Sequence, residues 1–333
     1  MLVGRDREPL ASIGAQFGGA PRLLVGTLTS ALGTLTQDAP GVVVNTVGPF
    51  TTTAPEVAGA CPPGTHYVDM ANEFAAVEKI LELDRQATAA KQVFVTGAGF
   101  GVLATEGVVL RLCAGRPPAT RVRVDALAFI ALEAGAIGSA LAGTIVEILS
   151  FGGGEVRHGR PVRSRFAAHP LQLTTPDGDV LATGSGPSGE LIAAWRASNA
   201  DSVIAASTAA PSNALVRFVL AAVSAIFRGP GVSSFAVRRI ARIPLRAQDM
   251  PRPFSWAHAR AEWSDGTVRE GWLRVGDGTD FTAAVAAEVT GRLLRGEGQP
   301  GSYTPGALFG PELAEAVGGE FIIDHDISPE TKG

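Results

Sequence analysis

Hydrophobic positions in the first third of the chain fall into short apolar runs, set apart by turn residues and by stretches of helical spacing. Leu2-Val3 end a strand, and Gly4 turns out of it. From Asp6 to Phe17 the apolar residues Leu10, Ile13 and Phe17 recur at helical spacing, with Asp6 placed to cap the helix. Arg22–Val25 reads as a short strand and Leu28–Thr36 as a helix or turn. Val42-Val43-Val44 is a continuous apolar run stopped by Asn45, the pattern of a strand buried on both faces. Thr53–Ala60 predicts a short helix, and HYVDM a strand ending at Asp69. Glu73–Lys91 predicts a helix, Val93–Thr96 a strand and Leu103–Cys113 another helix. Strands alternating with helices in this way predict an α/β unit around a parallel sheet.

The alternation stops near Arg116-Pro117-Pro118, which marks a domain boundary. Arg121–Ile130 then alternates as a strand, with Val122, Val124, Ala126 and Ala128 on one face. Ala140–Leu149 and Asn213–Phe227 read as helices. Leu171–Thr174 and Val180–Thr183 read as strands around the turn Pro176-Asp177-Gly178. His258–Trp263 and Thr267–Val275 flank Ser264-Asp265-Gly266, a hairpin signal. Thr279–Leu294 is a long helix, and Pro311–Ile323 a helix and a strand that return to the first domain. This half predicts an α+β domain built on an antiparallel sheet.

Composition narrows the function. A chain of 333 residues suits two domains. Its net charge of −4, with no run of Lys or Arg, supplies no field for nucleic acid. Cys61 and Cys113 form neither a disulfide framework nor a metal pattern, and fit a reducing, cytoplasmic setting. Arg5, Asp6, Arg7 and Glu8 give no signal-peptide pattern. The uncharged stretches Ala134–Val146 and Phe218–Phe227 are too short to span a bilayer, and read as buried helices or as the walls of an apolar pocket. No two of His66, His158, His169, His258 and His325 pair at metal-ligand spacing, and no G-x-S-x-G is present.

Ligands of open α/β sheets bind beyond the carboxyl ends of the strands. Four segments sit at such ends: Gly4-Arg5, Asn45 to Phe50, Asp69 to Glu73, and Gly97 to Gly101. The last, GAGFG, follows a strand and precedes a helix, as a dinucleotide loop does, with Asp125 downstream as a ribose reader. Against this, Val102 takes the third glycine position and Asp125 lies inside its strand.

VVVNTVGPF, HYVDMANE, VTGAGFG and SYTPGALFG, taken together, resemble the saccharopine dehydrogenase-like reductases, which include the bacterial trans-acting enoyl reductases. The resemblance implies a Rossmann-type parallel sheet over residues 1–117, an α+β substrate domain over 118–298 and a return segment over 299–333. It implies NADP(H) as cofactor. Gly4 and Arg5 would take the 2′-phosphate, which suits a guanidinium fork. Asn45, Thr46, Val47, Gly48, Pro49 and Phe50 would lie along the nicotinamide ribose, with Gly97, Gly99 and Phe100 completing the cofactor site. Tyr67 and Asp69, with Glu73, would sit near the reacting carbon as the catalytic candidates. Relatives often carry Gly-Phe-Asp followed by a Pro, where this chain has Gly99-Phe100-Gly101 and Ala104.

The family's opening strand and glycine loop have no counterpart before Leu2. The expectation is therefore an N-terminally truncated Rossmann sheet, short by about 30 residues, the size of one βα step, which would bind cofactor poorly. Three readings stay open. The first is hydride transfer to a C=C, C=N or C=O bond of a small molecule or an acyl chain, such as a lipid or polyketide enoyl chain. The second is a non-catalytic binding or scaffold remnant. The third is a reductase using Gly97–Gly101 as its loop. Contact with a membrane surface or a carrier protein, and pairing into a homodimer, are open as well.

Overall fold

A computed structural model describes residues 1–16, 21–131, 134–138, 142–143, 145–146, 152–209, 232–247 and 249–327. The first lobe alternates β1 (Leu2–Gly4), α1 (Arg7–Gly14), β2 (Leu23–Val25), α2 (Leu28–Asp38), β3 (Val42–Asn45), α3 (Phe50–Ala60) and β4 (His66–Asp69). It continues through α4 (Phe74–Glu82), α5 (Asp84–Ala89), β5 (Val93–Val95), a π-helical turn at Phe100–Ala104 and α6 (Thr105–Cys113). The strands run parallel, but in two pieces: β1 pairs only with β2, while β3, β4 and β5 form a second sheet that β16 (Gly301–Tyr303) extends. No ladder joins β1 to β3 among the described residues. Val3 and Val44 are 42% and 39% exposed, although their apolar runs suit strands covered on both faces.

The second lobe holds β6 (Arg121–Leu127), β7 (Gly135–Ala136), β8 (Gly153–Arg157), β9 (Arg160–Ser164), β10 (Leu171–Thr174), β11 (Val180–Ser185), α7 (Gly189–Ser198) and β12 (Ser202–Ser207). Then come α8 (Val232–Ile240), β13 (Pro244–Leu245), β14 (Ser255–Glu262), β15 (Val268–Val275) and α9 (Gly278–Leu294). After β16 follow α10 (Pro305–Phe309), α11 (Glu312–Ala316) and β17 (Glu320–Ile327). Nine strands form one sheet in the order β10-β11-β12-β6-β14-β15-β17, with β8 and β9 attached at β12, and β7 and β13 pair separately. It is antiparallel except where β12 runs parallel to β6. One buried core spans the two lobes: Leu103, Val108 and Leu112 of the π-turn and α6, and Leu191 and Ala194 of α7, pack with Val122, Val124, Ala257, Ala259 and Leu273 of the large sheet.

Several boundaries differ from the sequence expectation. Asp6 precedes α1 but makes no side-chain cap bond. The helix expected over Glu73–Lys91 breaks at Leu83, and Asp84 beyond the break accepts the Ser302 N–H at 2.9 Å, fixing β16 beside β5. The tail divides: Gly301–Tyr303 returns to the first lobe, whereas β17 joins the large sheet beside β15. The α7–β12 unit carried no expectation. The helix expected over Asn213–Phe227 and most of that over Ala140–Leu149 lie outside the described residues.

Candidate functional site

The loop after β3 is organised from within. Asn45 is 4% exposed, and its Nδ2 donates to Thr53 Oγ1 at 3.3 Å and to the Tyr67 hydroxyl at 3.2 Å. Its Oδ1 accepts the Val47 N–H at 3.0 Å, and the Thr53 hydroxyl donates to the Val47 carbonyl. The Gly48–Pro49 peptide is cis. Thr46 and Val47 are exposed, while Gly48, Pro49 and Phe50 are half-buried. Asn45 is thus an internal brace that fixes the loop carrying the exposed residues Thr46 and Val47.

Asp69 does the same for the loops after β4 and β5. Its Oδ1 accepts the Ala71 N–H at 2.9 Å, the Thr96 hydroxyl at 2.9 Å and the Gly97 N–H at 3.0 Å. Tyr67 and Asp69 are both wholly buried. Burial pushes the Asp69 carboxyl up against the pull of those donors, and burial and the Asp69 charge push the Tyr67 phenol up. Gly97 sits at φ +75°, and an added Cβ would meet Val102 at 2.9 Å, so glycine is required there. Next in the turn, the Phe100 N–H donates to Thr282 Oγ1 of α9 at 3.0 Å.

These loops form one wall of a cleft of about 680 Å³. Met70, Ala71 and Asn72 and the turn Gly97, Gly99–Val102 face the ends of β6 and β12, from Ala126 through Phe129-Ile130 and from Ser207 through Ala209. Gly278, Thr279 and Thr282 at the start of α9 close one side, and Glu190 in the first turn of α7 closes another. Of the expected site residues, Gly97, Gly99 and Phe100 line this cleft. Gly4, Arg5, Asn45 to Phe50, Tyr67 and Asp69 do not. Arg5 is exposed beyond the tip of β1. A smaller hollow of about 420 Å³ at Thr120, Trp195, Arg196 and Asp201 lies at the opposite, amino ends of β6 and β12.

Glu190 carried no expectation, because its sequence neighbourhood, Gly184 to Gly189 before an apolar run, reads only as a turn entering a helix. Asp125, weighed as a ribose reader, is closed off instead. It is wholly buried, salt-bridged to Arg123 at 2.8 Å and 3.1 Å from His258 Nδ1, while His258 Nε2 lies 2.8 Å from Glu270 Oε1. Although burial raises it, His258 and Arg123 hold the Asp125 carboxyl down at about 2. Among the described residues no His, Cys, Asp and Glu group is arranged to hold a metal, and no helix is long and apolar enough to cross a membrane.

The architecture aligns with the apo structure of saccharopine dehydrogenase (L-Glu forming) from Saccharomyces cerevisiae, over 97% of this chain and 93% of that one, with a TM-score of 0.58 and 12% identity. The chain shares the fold of saccharopine dehydrogenase. This mixed α/β fold, with its parallel sheets, agrees with the architecture expected from the sequence motifs. A dehydrogenase from Chromobacterium violaceum (13% identity, 95% of this chain, 84% of that, TM-score 0.37) is a distant overlap. So is GenD2 from gentamicin A biosynthesis in complex with NAD (13%, 95%, 83%, TM-score 0.39). No protein family profile matches the sequence, and no curated protein matches it.

A dinucleotide would rest on this chain at two ends: the exposed Arg5 guanidinium beyond β1, and the Thr46-Val47 loop, whose strand pairs through Asn45 with Asp69, the residue before the cleft wall at Met70. Between these ends the edges of β1 and β3 face no strand among the described residues, so no pyrophosphate contact follows from this geometry.

Proposed function

We propose that the chain is an NADP(H)-dependent oxidoreductase that reduces a C=C, C=N or C=O bond in the cleft between its two sheets, with a lipid or polyketide enoyl chain as the favoured substrate class. The supporting observation is the cleft itself. It lies beyond the carboxyl ends of β4 and β5, where ligands of such sheets bind, in the fold of a dehydrogenase. Met70, Phe100, Val102, Phe129 and Ile130 give it apolar walls, and no Lys, Arg or His lies among its described lining residues. Such walls favour an uncharged chain over a substrate bearing several carboxylates.

A bound dihydronicotinamide would supply the hydride. The chain's own part is to bind, orient and exclude water. Arg5 selects the 2′-phosphate, Asn45 holds the Thr46-Val47 loop in place, and Asp69 fixes the floor of the cleft by holding the loops after β4 and β5 together. In this reading Tyr67 and Asp69 position the site rather than touch substrate. Residues 1–117 bind the dinucleotide and 118–298 the substrate, with 299–333 returning to both.

Fluorescence titration with NADPH and NADH, followed by NADPH oxidation with trans-2-decenoyl N-acetylcysteamine thioester, tests the reading. NADPH binding at least 10-fold tighter than NADH, with the preference lost in Arg5→Ala, supports it. Equal affinities, or no binding of either, would sink it.

A further inference from the structure

Glu190 is the one ionisable side chain among the described residues lining the cleft, and it is only 4% exposed. Its Oε1 accepts from Asn72 Nδ2 at 3.1 Å, whereas Oε2 is buried with no hydrogen-bond partner. The carboxyl lies directly over Gly101, where an added Cβ would come within 2.4 Å of Oε1. A buried carboxylate with an orphaned oxygen is costly, and protonation lowers that cost by removing the charge and leaves Oε2 a donor that a ligand's oxygen can accept.

The surroundings favour the acid form. Burial pushes the Glu190 carboxyl above the ordinary carboxylate range, against the pull of Ser188, its own backbone N–H and Asn72. Its place in the first turn of α7 also favours a negative charge, and burial outweighs both. From the loop after β4 it faces Asn72 and the neighbouring Glu73, itself buried, whose Oε2 accepts the Asn72 N–H at 3.1 Å. The wholly buried Asp69 lies at the end of the same strand. From β12 and α9 the facing groups are Ser207, Thr208, Thr279 and Thr282, which are neutral.

We propose that Glu190 stands as the acid of this cleft: its Oε2–H hydrogen-bonds to the carbonyl oxygen of an uncharged substrate and delivers the proton that completes reduction. The step rests on the oxidoreductase reading above. A hydride, carrying two electrons, arrives from a dihydronicotinamide at the electrophilic carbon, and the displaced π pair moves to the carbonyl oxygen, directly or through the conjugated C=C bond. That oxygen takes the Glu190 proton as the O–H bond breaks; in the enoyl case the enol so formed then takes a proton from water at the α-carbon as its O–H proton returns to solvent, giving the saturated chain. The carboxylate left behind regains a proton from water.

Two measurements on the full chain decide it. The first is a ¹³C titration of δ-¹³C-glutamate-labelled protein, with Glu190→Gln to assign the resonance and Glu73→Gln, Glu106→Gln and Glu155→Gln to exclude the other buried glutamates. The expected result is a Glu190 midpoint above the ordinary carboxylate range that rises further when a saturated decanoyl N-acetylcysteamine thioester fills the cleft. A midpoint in the ordinary carboxylate range, or one the thioester does not move, overturns the proposal. The second is NADPH oxidation with the trans-2-decenoyl thioester. Glu190→Gln keeps the shape and the Asn72 contact but lacks the acid, so kcat should fall about 100-fold with KM for NADPH unchanged and with the alkaline limb of the pH profile lost. Wild-type kcat in this variant overturns the proposal. If the wild type oxidises no NADPH at all, the oxidoreductase reading and the proton transfer fail together, and the titration alone decides whether Glu190 is a neutral donor to a carbonyl ligand.

Discussion

The Asn72 side-chain amide donates to Glu190 Oε1 across 3.1 Å, tying the loop after β4 to a helix 118 residues farther along the chain. The Gly189 N–H donates to the Asn72 carbonyl at 2.8 Å and closes the same joint. The cleft is therefore not a gap between independent lobes. Its wall is a hydrogen-bonded seam over one continuous core.

Gly101 stands where that seam is tightest. In Gly101→Ala the new Cβ would fall 2.4 Å from Glu190 Oε1, so the carboxyl must leave Asn72. The variant should lose about 1–3 kcal/mol in urea unfolding. Adding Glu190→Ala removes the colliding atom, so the double variant should be more stable than the sum of the single losses allows. Strict additivity would show that the two residues do not meet.

Glu106 makes stability depend on pH. It is wholly buried, its carboxylate oxygens accept from the Thr304 hydroxyl and the Gly306 N–H, and burial raises it to about 7 against their pull. The folded state then holds this proton more tightly than the unfolded state. Stability from this residue is fullest below about pH 4.5 and falls as pH climbs to about 7, by on the order of 3 kcal/mol. Glu106→Gln can turn its amide toward the Thr304 hydroxyl, keep its carbonyl on Gly306, and should flatten that part of the curve. Urea midpoints of both proteins across pH 4 to 8 check the difference.

Asp69 is expected to act through structure. Asp69→Ala orphans three buried donors, Ala71 N–H, Thr96 Oγ1–H and Gly97 N–H, and should cost about 3 kcal/mol or more. Asp69→Asn keeps an acceptor for them and should cost much less. Similar losses in the two variants, read by thermal unfolding, would mean that its charge matters more than its acceptor.

The split of the parallel strands predicts uneven protection. Amides of Leu2–Gly4, paired with β2 alone among the described residues, should exchange with deuterium well before Tyr67 and Val68, whose strand is flanked by β3 and β5. Equal protection would mean that β1 has a further partner in solution.

Much of the architecture was legible because its signals are local. The run Val42–Val44 ended by Asn45 became β3, HYVD became β4, and Ser264-Asp265-Gly266 turned β14 into β15. The glycines of GAGFG lined a cleft, as loops beyond parallel strands do. The α7–β12 unit escaped notice, since Gly184 to Gly189 reads as a turn and Ser202–Ser207 is short and mixed in polarity. Its place beside β6 follows from pairing across about 80 residues.

By itself the sequence determined many of the strands and helices, the β14–β15 hairpin and which loops cap the parallel strands, but not the α7–β12 unit. Those are consequences of side-chain periodicity and turn chemistry within a few residues. Only the tertiary structure decided that Asn45 and Asp69 face inward as braces, that Asp125 is locked to Arg123 and His258, and that Glu190 closes the cleft with an unpaired oxygen. Burial and partnership of a polar group depend on what distant segments bring against it, and no local pattern encodes that.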